Sequence, residues 1–463
     1  EYSASSGYTL VPSVPGTEVN LFNLLMNIQT CINELDDELL MLESKCYVQP
    51  TIADDNSKLL AAIEQMNKAL NAKITYQVGS ETKVLDAATF QPWIYVDEKL
   101  QPLQVEITDN IITNIMPYGC KKDVIDYGDA IVLPGLIDVH NHGYFGGQCN
   151  YCSKEWLKEW TSYLPSEGVT STLFSFSCGN HEKLFESLKT YDEFCKEGYE
   201  GTQLIGAYSE GPFVGQRPGA QNTAFKIVPD KEIVDKFIEA SGNRMKYIML
   251  APEELNGNYD IIRYCREKGI KVSIGHSAAT FEECQAAIQA GVTSFTHTYN
   301  GMTGLHHREP GVVGAAMYHE DCYCELICDG IHVNKYSANI LARIKGKDRI
   351  MLITDSVKAK GYAAGEFDDG TGRIIIIGED GSIKDKKGTI SGSGNKLNKV
   401  LRYAIKEAKI DPVTAYNGIA KNQCDLLNIP NKGQIKVGFD ADIAVFNDDY
   451  DCLATYIGGK LFK

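Results

Sequence analysis

The 463-residue sequence contains no run of about 18 apolar residues, so nothing in it reads as a helix able to cross a bilayer. Residues 1–9 lack the basic start and apolar stretch of a secretory signal, and a cytoplasmic setting is the expectation. Positive charge is scarce: 45 Lys and Arg face 61 Asp and Glu, a formal net charge of -16. Such a surface repels a nucleic-acid backbone or an anionic membrane, so neither is expected as a partner, and an anionic ligand must find local basic groups. Fourteen cysteines in a chain this long are too dilute for a disulfide scaffold and point to a reducing compartment. Cys149 and Cys152 have the spacing of half a structural zinc site, but no second pair at a matching distance completes it. Cys322, Cys324 and Cys328 lie in one apolar run and read as buried small side chains. The glycine-rich stretch 391–395 lacks the Gly-Lys-Ser/Thr order of a phosphate-cradling loop.

What is present exceeds one typical compact core in length, so a large domain with smaller modules is the natural division. Leu25, Ile28, Ile32, Leu35, Leu39 and Leu42 alternate steps of three and four, as a coiled-coil seam does. Leu59, Ile63, Met66 and Leu70 repeat the helical pattern after an interruption at Pro50 and 54–57. A helical extension over 1–80 is expected, packed on its own chain or serving assembly. Short β-like runs then occupy 81–132, and the tail 433–463 reads the same way. The chain is therefore expected to pass twice through a small β-sandwich domain that flanks a central domain, 133–432.

In that central region apolar runs recur at 131–139, 169–176, 203–209, 246–251, 271–275, 292–296, 322–328 and 349–354, mostly separated by helix-like segments. Eight strands alternating with helices are the number that closes a (β/α)₈ barrel of the α/β class.

Histidine is rare, with nine in the chain, and four of them follow these runs: His140 and His142 the first, His276 the fifth, His297 the sixth. Glu210 follows the third run and Asp355 the eighth. The C-terminal strand ends of a barrel share one face, so residues spread over more than 200 positions are expected to converge there. His and carboxylate donors suit a divalent metal, zinc first, with iron or manganese as alternatives. Such an ion lowers the pKa of water and polarises a carbonyl, the two demands of amide hydrolysis. Asp355 then reads as general base turned general acid; a further metal ligand or a helix cap are its other readings.

The motifs Leu133-Pro-Gly-Leu-Ile-Asp-Val-His-Asn-His142, Ser209-Glu-Gly-Pro212, Gly275-His-Ser-Ala-Ala-Thr280, Thr296-His-Thr-Tyr-Asn300, Arg308-Glu-Pro-Gly311, Asp329-Gly-Ile-His332, Thr354-Asp355 and Thr389-Ile-Ser-Gly-Ser393 resemble the N-acetylglucosamine-6-phosphate deacetylase family of amidohydrolases, from about Thr82 to the C-terminus. The resemblance implies a homodimer acting on an amino-sugar phosphate, with one or two metal ions per subunit. Glu210, His276 and His297 match the family's constant ligands, and His140 with His142 adds a second metal position. Ala220, Gln221, Asn300, Gly301, Ile390, Ser391 and Gly392 match its substrate contacts, and Arg308 with His332 matches the groups that hold the 6-phosphate. Gly301 stands where many relatives have Ala, Ser356 where Ala is common, and His306 and His307 precede Arg308. These departures leave glucosamine and galactosamine substrates both open. A different amidohydrolase, cleaving a cyclic amide or an acylated amino acid, and a non-catalytic barrel are the remaining alternatives.

Overall fold

The computed structural model describes residues 93–368 and 374–463, together with the backbone of six short strands before residue 93. The chain divides into two compact units, one of Glu1–Ile94, Lys99–Val105 and Ile115–Ala130, the other of Tyr95–Glu98, Glu106–Asn114 and Ile131–Lys463. In the first, strands Ile74–Val78 and Glu81–Leu85 form an antiparallel hairpin, and Gly7–Thr9 pairs parallel with the former. The two helical patterns expected at 25–42 and 59–70 lie outside the described residues.

The second unit contains eight parallel strands in sequence order. They are β1 (Leu136–Asp138), β2 (Val169–Phe176), β3 (Gln203–Ser209), β4 (Met245–Leu250), β5 (Lys271–Ile274), β6 (Ser294–Phe295), β7 (Tyr323–Leu326) and β8 (Ile350–Leu352). Every residue of β2 is buried, as both faces of a barrel strand require. Helices follow the strands: α1 (Lys154–Tyr163), α2 (His181–Glu197), α3 (Lys231–Ala240), α4 (Asp260–Glu267), α5 (Phe281–Ala290), α6 (Gly311–Tyr318), α7 (Lys335–Lys345) and α8 (Leu397–Lys406). Their starts are chemically marked. Thr280 accepts the Glu283 amide while Glu283 bonds back to Thr280, a capping box that begins α5 four residues after His276.

The barrel is nearly closed, and side chains complete the seam between β1 and β8. Thr354 Oγ1 donates to Asp138 Oδ2 at 2.6 Å, and the Asp355 amide donates to the His140 carbonyl at 2.9 Å. The C-terminal ends of the first and last strands are thereby tied to each other.

The run 131–139, read as one strand, is split. Ile131–Pro134 pairs antiparallel with Ile443–Phe446, which continues through Cys452–Ile457 to Lys460–Leu461. The Gly135 amide still bonds to Asp442 O in this sheet, whereas the next amide, Leu136, bonds to Gly168 O in the barrel. A Cβ on Gly135 would lie 2.2 Å from Thr170 Oγ1, so the crossing needs glycine. Residues 110–112 bond to 438–441, so an early segment and the tail meet as the expected double passage requires.

Between β8 and α8 a four-stranded antiparallel sheet is inserted: Gly365–Asp368, Ile374–Ile377, Ser382–Asp385 and Ile390–Ser393. Ala359, Ile375, Ile377 and Ile383 form its core. Its last strand returns to the barrel mouth, where the Ser393 amide donates to Asp355 O at 2.8 Å. Among the described residues no helix is long and apolar enough to cross a membrane.

Candidate metal centre

Each strand-end residue singled out above reaches one place. His140, His142, Glu210 and Asp355 offer ligand atoms within 4.8 Å of one another, as do Glu210, His276 and His297, and all six side chains are buried. Glu210 belongs to both groups. Its Oε1 lies 3.0 Å from Nε2 of both His276 and His297, and its Oε2 lies 3.2 Å from His142 Nε2. Asp355 Oδ1 stands 3.4 Å from His140 Nε2 and 3.2 Å from His142 Nε2.

The ring nitrogens decide what such an arrangement can hold. Nε2 of His140 faces Nε2 of His142 at 3.0 Å, and Nε2 of His297 faces that of His276 at 3.1 Å. Two lone pairs so placed repel unless a proton or a cation lies between them. The opposite nitrogens are engaged: His140 Nδ1 with Glu325 Oε2 at 2.8 Å, His142 Nδ1 with Ser175 O at 2.9 Å, His276 Nδ1 with Arg217 O at 3.1 Å. An Nδ1–H that donates there leaves Nε2 as the lone-pair nitrogen a metal takes. Donors around a tetrahedral ion with bonds of about 2.0–2.1 Å are roughly 3.3 Å apart, which these separations match.

The electrostatics agree. Burial disfavours a charged His142, yet Glu210 and Asp355 raise its pKa to about 9. Burial also opposes ionisation of Glu210, but His142, His140 and His276 hold its carboxyl well below the usual range. For Asp355, His140 and His142 outweigh burial in the same direction. The cluster calls for positive charge at its centre, and its donor set is that of a divalent metal site.

Backbone conformation aims three of these groups: His276, His297 and Asp355 have φ of 45°, 29° and 49°. Non-glycine residues rarely adopt such values, which cost on the order of 1–3 kcal/mol each and persist where surrounding structure imposes them. Gly301, at φ 58°, lies against His276; a Cβ there would sit 2.8 Å from His276 Nδ1.

Of the other expected site residues, Gln221 reaches the centre, donating from Nε2 to Glu210 Oε2 at 2.5 Å while its Oε1 accepts the Cys178 amide at 2.8 Å. Ala220 shares its loop, whose Gly219 lies against the His276 ring. The Asn300 amide and Nδ2 both bond to His297 O. Ile390, Ser391 and Gly392 are on the strand that returns to Asp355, and a Cβ on Gly392 would lie 3.0 Å from Asp355 O. His332 donates from Nδ1 to Asp329 Oδ2 at 2.7 Å, and Asn395 holds the same oxygen at 2.9 Å. Burial depresses the His332 imidazole, but Asp329 and Asp355 more than offset this. Arg308 is set apart: it is exposed, and its guanidinium bonds to the neighbouring His307 at 2.8 Å. Cys149 and Cys152 hold backbone and Ser187 contacts and belong to no group of metal donors among the described residues.

Two carboxyl groups escaped the sequence reading. Glu253 accepts from Ser277 Oγ and the Ala278 amide, both at 2.6 Å, and braces the turn after His276. Glu325 is fully buried within β7 and contacts both donor groups. Its signal was one acidic residue inside the apolar run 322–328.

The amidohydrolase family profile matches residues 131–462. The chain belongs to the amidohydrolase family. This amidohydrolase is 34% identical to N-acetylglucosamine-6-phosphate deacetylase of Bacillus subtilis, over 74% of the chain and 87% of the relative. It is 30% identical to N-acetylgalactosamine-6-phosphate deacetylase of Escherichia coli O157:H7, over 77% of the chain and 94% of the relative. The crystal structure of the Thermotoga maritima N-acetylglucosamine-6-phosphate deacetylase superposes with a TM-score of 0.72 at 27% identity, covering 80% of this amidohydrolase and 98% of that chain.

Proposed function

We propose that this chain hydrolyses the acetamide of N-acetylglucosamine 6-phosphate, releasing acetate and glucosamine 6-phosphate in amino-sugar breakdown. The observation that carries this reading is the pair of buried donor groups sharing Glu210, with Asp355 among them. Relatives named for this activity, matched over most of their length, support the substrate. Two divalent ions, zinc first with iron or manganese as alternatives, would be held there, one by His140, His142 and Glu210 beside Asp355, the other by Glu210, His276 and His297. A divalent ion held there polarises the amide carbonyl and acidifies water.

The remaining steps belong to the chain's own groups. Asp355, kept ionised by the flanking imidazoles, takes a proton from the attacking water and returns it to the departing amine. Its main chain is pinned through Asp355 N to His140 O and through Asp355 O from Ser393 N, so the backbone that carries the carboxylate is fixed. Gln221 holds Glu210 in place. His332, anchored by Asp329 and favoured in its charged form by Asp329 and Asp355, keeps Nε2 buried without a hydrogen-bond partner and, so protonated, supplies a donor to the 6-phosphate. Arg308, whose planar fork suits phosphate oxygens, receives the 6-phosphate in a homodimer.

N-acetylgalactosamine 6-phosphate is the second reading, supported by the E. coli relative and left open by the Gly301 departure. Acetate release from the two 6-phosphorylated N-acetylhexosamines and their unphosphorylated forms, with metal analysis of the same preparation, tests both. A higher kcat/KM for the glucosamine ester is expected. Equal kcat/KM with and without phosphate removes the phosphate assignment, and undetectable acetate release removes the activity.

A further inference from the structure

Glu325 is the one acidic residue of β7, among Tyr323, Cys324 and Leu326, and it has no solvent exposure. A carboxyl group withdrawn from water destabilises a fold unless donors meet it. Two donors that meet Glu325 come from the metal centre, and the Tyr247 hydroxyl lies beside the carboxyl group as well. His140 Nδ1 lies 2.8 Å from its Oε2, and the His297 backbone amide donates to the same oxygen at 3.1 Å. Its Oε1 is buried without a partner.

We infer that Glu325 is a positioning residue that sets the two-ion occupancy of the centre: by holding the proton of His140 on Nδ1, it keeps Nε2 free to take a cation. The inference rests on the ligand assignment proposed above. Among the described residues no other acceptor meets His140 Nδ1. The ring is fully buried, with Tyr208 and His142 edge-on at 4.9 Å each and His297 stacked at 5.6 Å. Deprived of an acceptor at Nδ1, the ring shifts its proton to Nε2, where Glu210 Oε1 at 3.6 Å and Asp355 Oδ1 at 3.4 Å accept it. A protonated Nε2 cannot ligate. The contact with Glu325 thus holds the tautomer in which Nε2 can ligate.

The other three imidazoles are held differently. His142 and His276 give Nδ1 to backbone carbonyls, and His297 Nδ1 is buried with no partner. Glu325 touches His297 only through its main chain, which does not set a ring tautomer. Loss of Glu325 is therefore expected to fall on the His140–His142 group and to spare the one formed by Glu210, His276 and His297.

The test strips the full-length protein with chelator and titrates it with Zn²⁺ and Co²⁺ against a chromophoric competitor. Wild type is expected to bind two ions. Glu325→Gln keeps the shape but offers a weaker, neutral acceptor, and Glu325→Asp keeps the carboxylate but withdraws it by one methylene. In both, one ion is expected to bind within about threefold of wild type and the second to weaken by roughly 10- to 100-fold, the usual effect of removing such a partner. Glu325→Gln protein with wild-type circular dichroism and Tm that binds both ions within about twofold of wild type overturns the inference alone. Wild type that binds a single ion overturns the ligand assignment, and the inference with it. Should Glu325→Gln not fold, ¹⁵N-histidine NMR of the wild type decides: a proton on His140 Nδ1 is expected, and one on Nε2 overturns the inference.

Discussion

The floor and the rim of the site are built in opposite ways. On the floor, His140, His142, Glu210, His276, His297 and Asp355 are all buried, three of the four imidazoles have Nδ1 engaged, and three residues hold positive φ. On the rim, Arg308 is exposed and bonds to its sequence neighbour, and the loop that carries it holds an exposed Leu305 beside His306 and His307. On the proposed function, chemistry is placed on buried groups with fixed partners, as preorganisation requires. Recognition of the charged end of the substrate falls, on the same proposal, to an exposed side chain bonded to its sequence neighbour.

That contrast can be broken by variants on each side. The largest effect is expected from His276→Ala or His297→Ala: each removes a ligand from the group that also uses Glu210, so acetate release should become undetectable and bound metal should fall. Full metal content in both would show that the floor is not what holds the ion. Asp355→Asn should keep fold and metal but lower kcat by roughly 10² to 10⁴, the range typical of a general acid/base group; near-normal turnover removes Asp355 from the proton transfer. The double variant His140→Ala with His142→Ala should retain one ion and part of the activity, because Glu210, His276 and His297 form a group without them. The smallest change belongs to the rim. Arg308→Ala should raise KM for the 6-phosphate ester by the equivalent of about 1.5–3 kcal/mol, typical for a hydrogen bond to a charged group, while hardly affecting unphosphorylated sugars. A collapse of kcat instead would place Arg308 with the floor.

How much of this was legible depended on how local each signal is. The strand-end histidines could be read because a barrel turns a sequence period, apolar run then polar residue, into a shared face. Asp355, Glu210 and Gln221 were legible for the same reason or through motif resemblance, and all three meet at the centre. The split of 131–139 was not, because Ile131, Val132, Leu136 and Ile137 are equally apolar and both halves are buried strands. Only the partners differ, Ile443–Phe446 for one and Val169–Phe176 for the other. The sheet inserted between β8 and α8 was glimpsed only at Ile390, Ser391 and Gly392, since its other strands carry no motif. The Gly301 departure was visible, but not that the position lies under His276.

By itself the sequence determined the barrel, the residue types at its catalytic face and the capacity for metal-dependent amide hydrolysis, because hydrophobic periodicity and strand-end placement are properties of short segments. Tertiary structure alone decided which nitrogen of each imidazole faces the centre, how the two oxygens of Glu210 are divided among the imidazoles, and that a carboxyl group from the middle of β7 ends on His140. Those facts depend on distances of about 3 Å between residues as many as 185 positions apart, and a hydrogen bond exists only where folding has brought donor and acceptor together with the right direction.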